Sequence, residues 1–332
     1  MAGHVVMADV ARLAGVSSQT VSRVLSGKAT VSPGTRQKVE RAIEALNYRP
    51  NFAASALASG SSAMVGVLML GKLSFGRADS YLQLVQLQSD LGSFVTALSV
   101  DPTDSTALRR AVDFFVAAKA RAIVVMGQSV RAVRELSTYI QIPWVAVVNG
   151  ELPEGRFAAV QLEQREATTA LLGHLRSVSG GPIVHISPGV EDIDAHLRRE
   201  TYVEFCTAHG VDPLVIRVPD WSADSGEVGA CSLSGVSFGA VFAANDYLAL
   251  GVARGLRKRG LEPGRDYALA GFDDTQLAQL SSPALTTVRQ NYDVLAHAIS
   301  SQIERVVQGE EAPTVVLENS LVVRESSAGS AK

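Results

Sequence analysis

Two cysteines, Cys206 and Cys231, are all that this 332-residue chain contains. A pair of thiols makes neither a disulfide framework nor a four-cysteine zinc site, and it fits a reducing compartment. Long apolar runs are missing too, since a stretch such as 122–126 is far too short to cross a bilayer. The opening Met-Ala-Gly-His-Val-Val-Met-Ala-Asp has no basic region followed by an apolar one, so nothing marks the chain for export and a cytoplasmic location is expected. The six histidines (His4, His174, His185, His196, His209, His297) show no HExxH or other zinc spacing. No metal and no cofactor is expected. An excess of one charge is also lacking: 30 basic and 33 acidic side chains leave a net charge of −3, which taken whole argues against a nucleic-acid partner. What is present is 47% hydrophobic and 19% charged residues, in a chain long enough for two or three domains with packed cores.

Divided into two parts, the chain no longer speaks against a nucleic-acid partner. Residues 1–60 hold seven basic and three acidic side chains, net +4, which leaves 23 basic and 30 acidic groups for the remainder. A basic head on an acidic body is the asymmetry expected when one part meets phosphates and the other does not. Three short helices are legible in the head. The first spans about 7–14 with Val10, Leu13 and Ala14 on one face, Asp9 in its first turn and Gly15 ending it. Ser17 caps a second over 18–25, burying Val21, Val24 and Leu25. Ser32 and Pro33 open a third whose stripe is Val39, Ala42, Ile43 and Leu46. Two short helices joined by a tight glycine-containing turn make a helix-turn-helix. The exposed face of the second carries Ser17, Ser18, Gln19, Thr20, Ser22 and Arg23. These are side chains that address base edges, Gln for adenine and Arg for guanine, together with Ser and Thr hydroxyls for bases or phosphates.

The run Asp9-Val10-Ala11-Arg12-Leu13-Ala14-Gly15-Val16-Ser17-Ser18-Gln19-Thr20-Val21-Ser22-Arg23-Val24-Leu25 resembles the headpiece of the lactose-repressor (LacI/GalR) family, and Val31-Ser32 through Leu46-Asn47-Tyr48-Arg49-Pro50-Asn51 continues the likeness. One departure is visible, Val6 where the family opens its first helix with Thr, and losing that cap costs about 1 kcal/mol. The resemblance implies that the second helix lies in the major groove. It also implies that the alanine-rich segment after Asn51 forms a hinge helix in the minor groove, paired with that of a second subunit. Asn51 and Ala54 belong to that contact, and Leu57 aligns with the family's leucine wedge at a central base step. On its own a helix of roughly eight residues is marginal in water, so this one is expected to order only against a partner.

Beyond residue 62, short apolar runs (65–70, 94–100, 122–126, 144–148, 182–186, 214–218, 240–243, 267–272) alternate with amphipathic stretches (106–118, 166–177, 194–209, 246–259). That alternation predicts parallel sheets covered on both faces, with a ligand near the carboxyl ends of the strands. Pro219-Asp220-Trp221-Ser222, Ala243-Ala244-Asn245-Asp246 and Ala270-Gly271-Phe272-Asp273 resemble the family's effector domain, as does Pro283 through Gln290. The fold class implied is an N-terminal all-α helix-turn-helix headpiece plus an α/β periplasmic-binding-protein-like effector domain of two Rossmann-like subdomains. The boundaries expected are 1–49 for the headpiece, 50–62 for the hinge and 63–332 for the effector domain. Within the last, subdomain one takes about 63–160 and 291–320, and subdomain two about 161–290 and 321–330.

Arg198, where the family places an arginine on ligand hydroxyls, is expected to contact an effector together with Trp221, Asn245 and Asp273. A guanidinium, a carboxylate, an amide and one flat ring suit a polyol, so a sugar or sugar derivative is the ligand expected. A purine-type corepressor on the same scaffold is the alternative. Asn149 and Gln290 are further candidates, and the loop 71–79 with Phe75 is expected on the facing wall. Gly235-Val236-Ser237-Phe238-Gly239 matches the G-x-S-x-G pattern of serine hydrolases, but a helix tail precedes it and a strand follows, the reverse of a nucleophile elbow. No catalysis is expected. The partners implied are a roughly palindromic double-stranded DNA operator, a small effector and a second copy of the chain as a homodimer.

Overall fold

The computed structural model describes residues 5–25, 31–48, 62–71, 75–189 and 192–328. Contacts divide the chain into two units, Met1–Ser62 and Ala63–Lys332.

The first unit packs α1 (Met7–Ala14), α2 (Ser18–Leu25) and α3 (Pro33–Ala45) around Val10, Val21, Val24, Val39, Ala42 and Tyr48. Gly15 takes φ +65° to end α1, the left-handed turn that glycine adopts without strain. Ser17 Oγ accepts from the Thr20 amide at 3.2 Å, and Ser32 Oγ from the Thr35 amide at 3.4 Å. Val6 has no side-chain acceptor to offer α1, so only half of a capping box forms, in which the Asp9 carboxylate accepts from the Val6 amide at 3.0 Å. Two of the expected core positions are corrected. Leu13 and Leu25 are exposed. The buried stripe of α1 is centred between Val10 and Ala11, which turns Leu13 onto the rim at helical spacing, and Leu25 sits on the last residue of its helix.

The second unit holds two parallel sheets and a small antiparallel ladder. The first sheet is formed by β1 (Met64–Leu70), β2 (Phe94–Val100), β3 (Ala122–Gly127), β4 (Trp144–Val147), β5 (Ala158–Leu162) and β11 (Val315–Leu317), in the order β11-β5-β4-β3-β1-β2. Both faces are covered. Val65, Val67, Val124 and Met126 pack on one side with Leu295, Ile299 and Ile303 of α12 (Tyr292–Gln308), while Leu68, Leu70, Ile123 and Val125 pack on the other with α5 (Ser105–Ala117) and α6 (Val130–Ser137). Continuous apolar strands are what a sheet buried on both faces requires. The second sheet runs β7 (Leu214–Val218), β6 (Ile183–Pro188), β8 (Ala240–Ala243), β9 (Ala268–Ala270). It lies between α7 (Arg165–Val178) and α8 (Ile193–Ala208) on one face and α9 (Ala223–Ser232) and α10 (Asp246–Arg257) on the other.

The chain passes between the two lobes three times: after β5, after β10 (Thr287–Arg289), and from β11 into β12 (Ser320–Val322), which pairs antiparallel with β10. Two crossings lie side by side, with the Glu163 amide donating to Leu317 O at 2.8 Å and Asn319 Nδ2 donating to Glu163 O. The segment 71–79, expected as a loop, is helical from Phe75 onward, where α4 (Phe75–Asp90) begins. Its residues mix Ser, Gln and Leu without a clean apolar stripe, so no helical period marks it in the sequence. Two short helices, α11 (Gln276–Leu280) and α13 (Glu325–Ala328), complete the unit.

Candidate functional site

Strand–helix junctions at the carboxyl ends of both sheets face one another across a cleft of about 670 Å³. From the second lobe come Arg198 on α8, Asp220 and Trp221 before α9, Asn245 at the start of α10, and Asp273 after β9. From the first come Arg77 and Ala78 in the first turns of α4, Gln128 after β3, and Tyr292 opening α12. Gln290, on a crossing, also reaches the cleft.

Arg198 is 2% exposed. Its Nε donates to Gln164 Oε1 at 3.0 Å, Nη1 to Ala244 O at 2.6 Å, and Nη2 lies 3.8 Å from Asp273 Oδ1. The guanidinium stacks 3.7 Å from the Phe272 ring centroid and 5.7 Å from that of Trp221, contacts that hold a desolvated cation in place. Gln164 Nε2 donates onward to Gln290 Oε1 at 3.3 Å, and Gln290 Nε2 donates to Asp273 Oδ1. Arg198, Gln164, Gln290 and Asp273 therefore form a ring that joins the cleft wall to two of the crossings. Asp273 stands at φ 114°, and its neighbour Asp274 at φ 52° is clamped at 2.6 Å by both Arg289 and Arg324. Backbone this far into the left-handed region is strained for a non-glycine residue, and the clamp on Asp274 keeps Asp273 turned toward the cleft.

Asn245 serves two ends. Its Oδ1 accepts from the Leu248 amide at 2.8 Å as the cap of α10, and its Nδ2 donates to Trp221 O at 3.3 Å. Trp221 Nε1 donates to Asp192 Oδ2 at 3.2 Å, which leaves the ring on the cleft wall. Gly226 and Gly251 let α9 and α10 approach closely, because a Cβ on Gly251 would meet Ala223 O at 1.9 Å. Asn149 does not line the cleft. It is buried behind it, donating to Asp194 Oδ1 at 2.7 Å and accepting from the Leu162 amide at 2.8 Å. Phe75 begins α4, but its side chain, like Asn51, Ala54 and Leu57, lies outside the described residues. In the headpiece, Ser17, Ser18, Gln19, Ser22 and Arg23 are exposed on one unit and Thr20 is half-buried.

Residues that sequence reasoning missed hold the lobes together. The first turn of α8 enters the first lobe: the Ile193 amide donates to Gln128 O at 3.1 Å, and its side chain packs into the first lobe's core. Asp194, 3% exposed, accepts from Arg77 Nη2 at 2.8 Å and Gln128 Nε2 at 3.0 Å besides Asn149. Burial alone would raise the Asp194 carboxyl, but Arg77, then Arg198, with the amides of Gln128 and Asn149, hold it below its ordinary value. Arg77 and Asp194 are 117 residues apart in sequence. An acid in a helix's first turn reads as a dipole partner, so no local signal pairs them.

Two other carboxyls go the opposite way. Burial, then the facing charge of Asp273, pushes Asp246 up to about 8 despite hydrogen bonds from Thr287 and Thr275. Burial, then Asp194, pushes Asp192 up to about 7. Through these two groups the native state keeps protons that the unfolded chain loses near pH 4, so their contribution to stability falls as pH rises from about 4 toward about 8, against the opposite contribution of buried His185 between about 3 and about 6.5. Urea midpoints across that range are expected to decline, and Asp246→Asn to flatten the decline. An Asp246→Asn variant whose midpoints follow the parent's pH dependence would exclude a neutral Asp246. His185 is not a ligand: burial lowers it to about 3, its Nδ1 lies 2.9 Å from Phe242 O, and its ring stacks on Phe242.

The architecture and the cleft define a class: a helix-turn-helix unit joined to a two-lobed, periplasmic-binding-protein-like body. Residues 6–51 match the model of bacterial regulatory proteins of the lacI family, and residues 173–327 that of a periplasmic binding protein-like domain. HTH-type transcriptional regulator GalS of Salmonella typhimurium (strain LT2) is 32% identical over 292 residues, 85% of this chain and 84% of that protein. The crystal structure of the lac repressor dimer bound to operator and the anti-inducer ONPF aligns with a TM-score of 0.88 at 27% identity, over 98% of this chain and 99% of that one. The transcriptional regulator CelR–cellobiose complex aligns with a TM-score of 0.68 at 25% identity, over 97% and 99%. The chain belongs to the LacI family of DNA-binding transcriptional regulators and is not an enzyme.

Proposed function

We propose that this regulator is a cytoplasmic repressor that binds a palindromic operator as a homodimer and responds to an uncharged sugar or sugar derivative held in the cleft. Three working parts carry it: a reading headpiece at 1–49, a hinge at 50–62 and an effector domain at 63–332. The observation that supports the reading most is the ring of Arg198, Gln164, Gln290 and Asp273, because it ties donors and acceptors suited to hydroxyl groups directly to the crossings. A ligand that engages Arg198 and Asp273 changes the strength of that ring, and with it the preferred angle between the lobes. Trp221 supplies the flat apolar surface that the C–H face of a sugar ring stacks on. A relative whose solved complex is with cellobiose adds weight to a saccharide ligand.

The test has two arms. Selection from random duplex DNA is expected to return a palindrome with an easily kinked centre, and Leu57→Ala to lower specific affinity while sparing nonspecific binding; equal losses in both would sink the wedge role. Titration of mono- and disaccharides is followed by fluorescence. Trp144 is sealed in the first lobe's core and stacks on Phe157, so a ligand-dependent change reports Trp221. Saturable quenching together with release from the selected DNA supports the reading, and no response to any saccharide removes the sugar.

A further inference from the structure

Arg77 is 5% exposed, and its two terminal nitrogens are both engaged: Nη1 donates to Gly127 O and Nη2 to Asp194. It is the guanidinium that the first lobe brings to the cleft, and the carboxylate meeting it comes from the second lobe. Gln128 and Asn149 fix that carboxylate from two further directions, so Asp194 is oriented and already desolvated when a ligand arrives. A phosphate or carboxylate on a ligand would seek the same guanidinium, since bidentate and charge-assisted contacts make arginine the usual anion receptor. Here it would compete with an internal anion that is already oriented, so that its pairing with Arg77 loses none of the translational freedom a dissolved ligand must give up. The remaining charges oppose an anion as well. Among the described residues of the wall, Arg77 and Arg198 are outnumbered by Asp194, Asp220 and Asp273. An uncharged polyol meets no such penalty, because it can donate to the acids and accept from the arginines.

Resting on the sugar reading above, we propose that Asp194 is a specificity-determining residue: it occupies Arg77 as a built-in anion and so admits uncharged polyhydroxylated ligands while rejecting phosphorylated or acidic ones. The probe is inorganic phosphate, titrated calorimetrically into the full-length protein at constant ionic strength. The parent protein is expected to bind phosphate weakly or not at all. Asp194→Asn keeps the shape and removes the charge, and it is expected to bind phosphate at least about tenfold more tightly. Adding Arg77→Met to that variant is expected to abolish the gain. Asp194→Ser serves the same purpose should the Asn variant fold poorly, with thermal melting as the check on both. Phosphate binding by the parent as tight as by the variants, or no gain in a folded variant, overturns the proposal. A gain with phosphate but no response of the parent to saccharides would instead sink the sugar reading and leave the role of Asp194 standing.

Discussion

Replacing Arg198 with Ala is expected to raise the effector concentration needed for DNA release by roughly 100-fold or more. The magnitude follows from the contacts. A hydrogen bond to a charged group contributes about 1.5–3 kcal/mol, and two such bonds to ligand hydroxyls correspond to about 10²–10⁴ in affinity. Truncation also opens the ring, because Gln164 loses the donor that occupies its Oε1 and Asp273 loses its nearby cation. Arg198→Lys keeps the charge but offers neither the fork to Gln164 and Ala244 nor the planar stack on Phe272, so it is expected to recover only a small part of the loss. The measurement is operator binding by fluorescence anisotropy across an effector titration, with melting curves to confirm that the variants fold. An effector response like the parent's in Arg198→Ala would reduce Arg198 to a structural brace.

The second large effect is on stability. Asp194→Ala leaves the Arg77 guanidinium buried without its counter-charge, and breaking a buried pair from one side costs about 3–5 kcal/mol. Arg77→Met is expected to cost less, because the stranded Asp194 retains Gln128 and Asn149 as donors and can take up a proton. The double variant Arg77→Met/Asp194→Ala is expected to be less destabilised than the two single losses combined, by at least about 1 kcal/mol, which is the signature of direct coupling. Chemical denaturation of all four proteins gives the cycle. Strict additivity would mean that the pair contributes nothing beyond two independent side chains.

The sequence made the headpiece and the strongest strands legible for a shared reason: their local pattern agrees with their burial. Val65 to Leu70 and Ala122 to Met126 are continuous apolar runs because both sheet faces are covered, and Ser17, Ser32 and Pro33 mark helix starts through the same atoms that cap them. Elements with small or polar residues escaped. Strand β5, Ala-Ala-Val-Gln-Leu, has little bulk because α12 packs over it, and the three-residue strands β10, β11 and β12 exist only where the chain crosses between lobes. The cleft divides the same way. Arg198, Trp221, Asn245, Asp273 and Gln290 lie on one cleft, and the residues that carried them were motifs with a family likeness. Gln128, Asp194 and Tyr292 come from segments with no motif, and Arg77 from the segment 71–79 that the sequence places on the facing wall without singling the arginine out; they meet through long-range packing alone. Asn149, which the sequence places among the ligand contacts, stands behind the wall, bonded to Asp194 rather than facing the cleft.

The three passages between lobes also govern how this protein can be cut and recombined. Each lobe is assembled from pieces that are not contiguous in sequence: the first sheet takes β1 to β5 and then β11, and the helix α12 that covers it follows the whole of the second sheet. Expressing 63–162 alone therefore omits β11 and strips the cover from Val65, Val124 and Met126, so that fragment is not an autonomous lobe. A chimaera with a relative made by a single splice after β5 or after β10 inherits a mosaic first lobe, with β1 to β5 from one parent and α12 and β11 from the other. Grafting a foreign effector preference onto this scaffold requires three junctions, placed at the crossings, where two strands already lie hydrogen-bonded side by side.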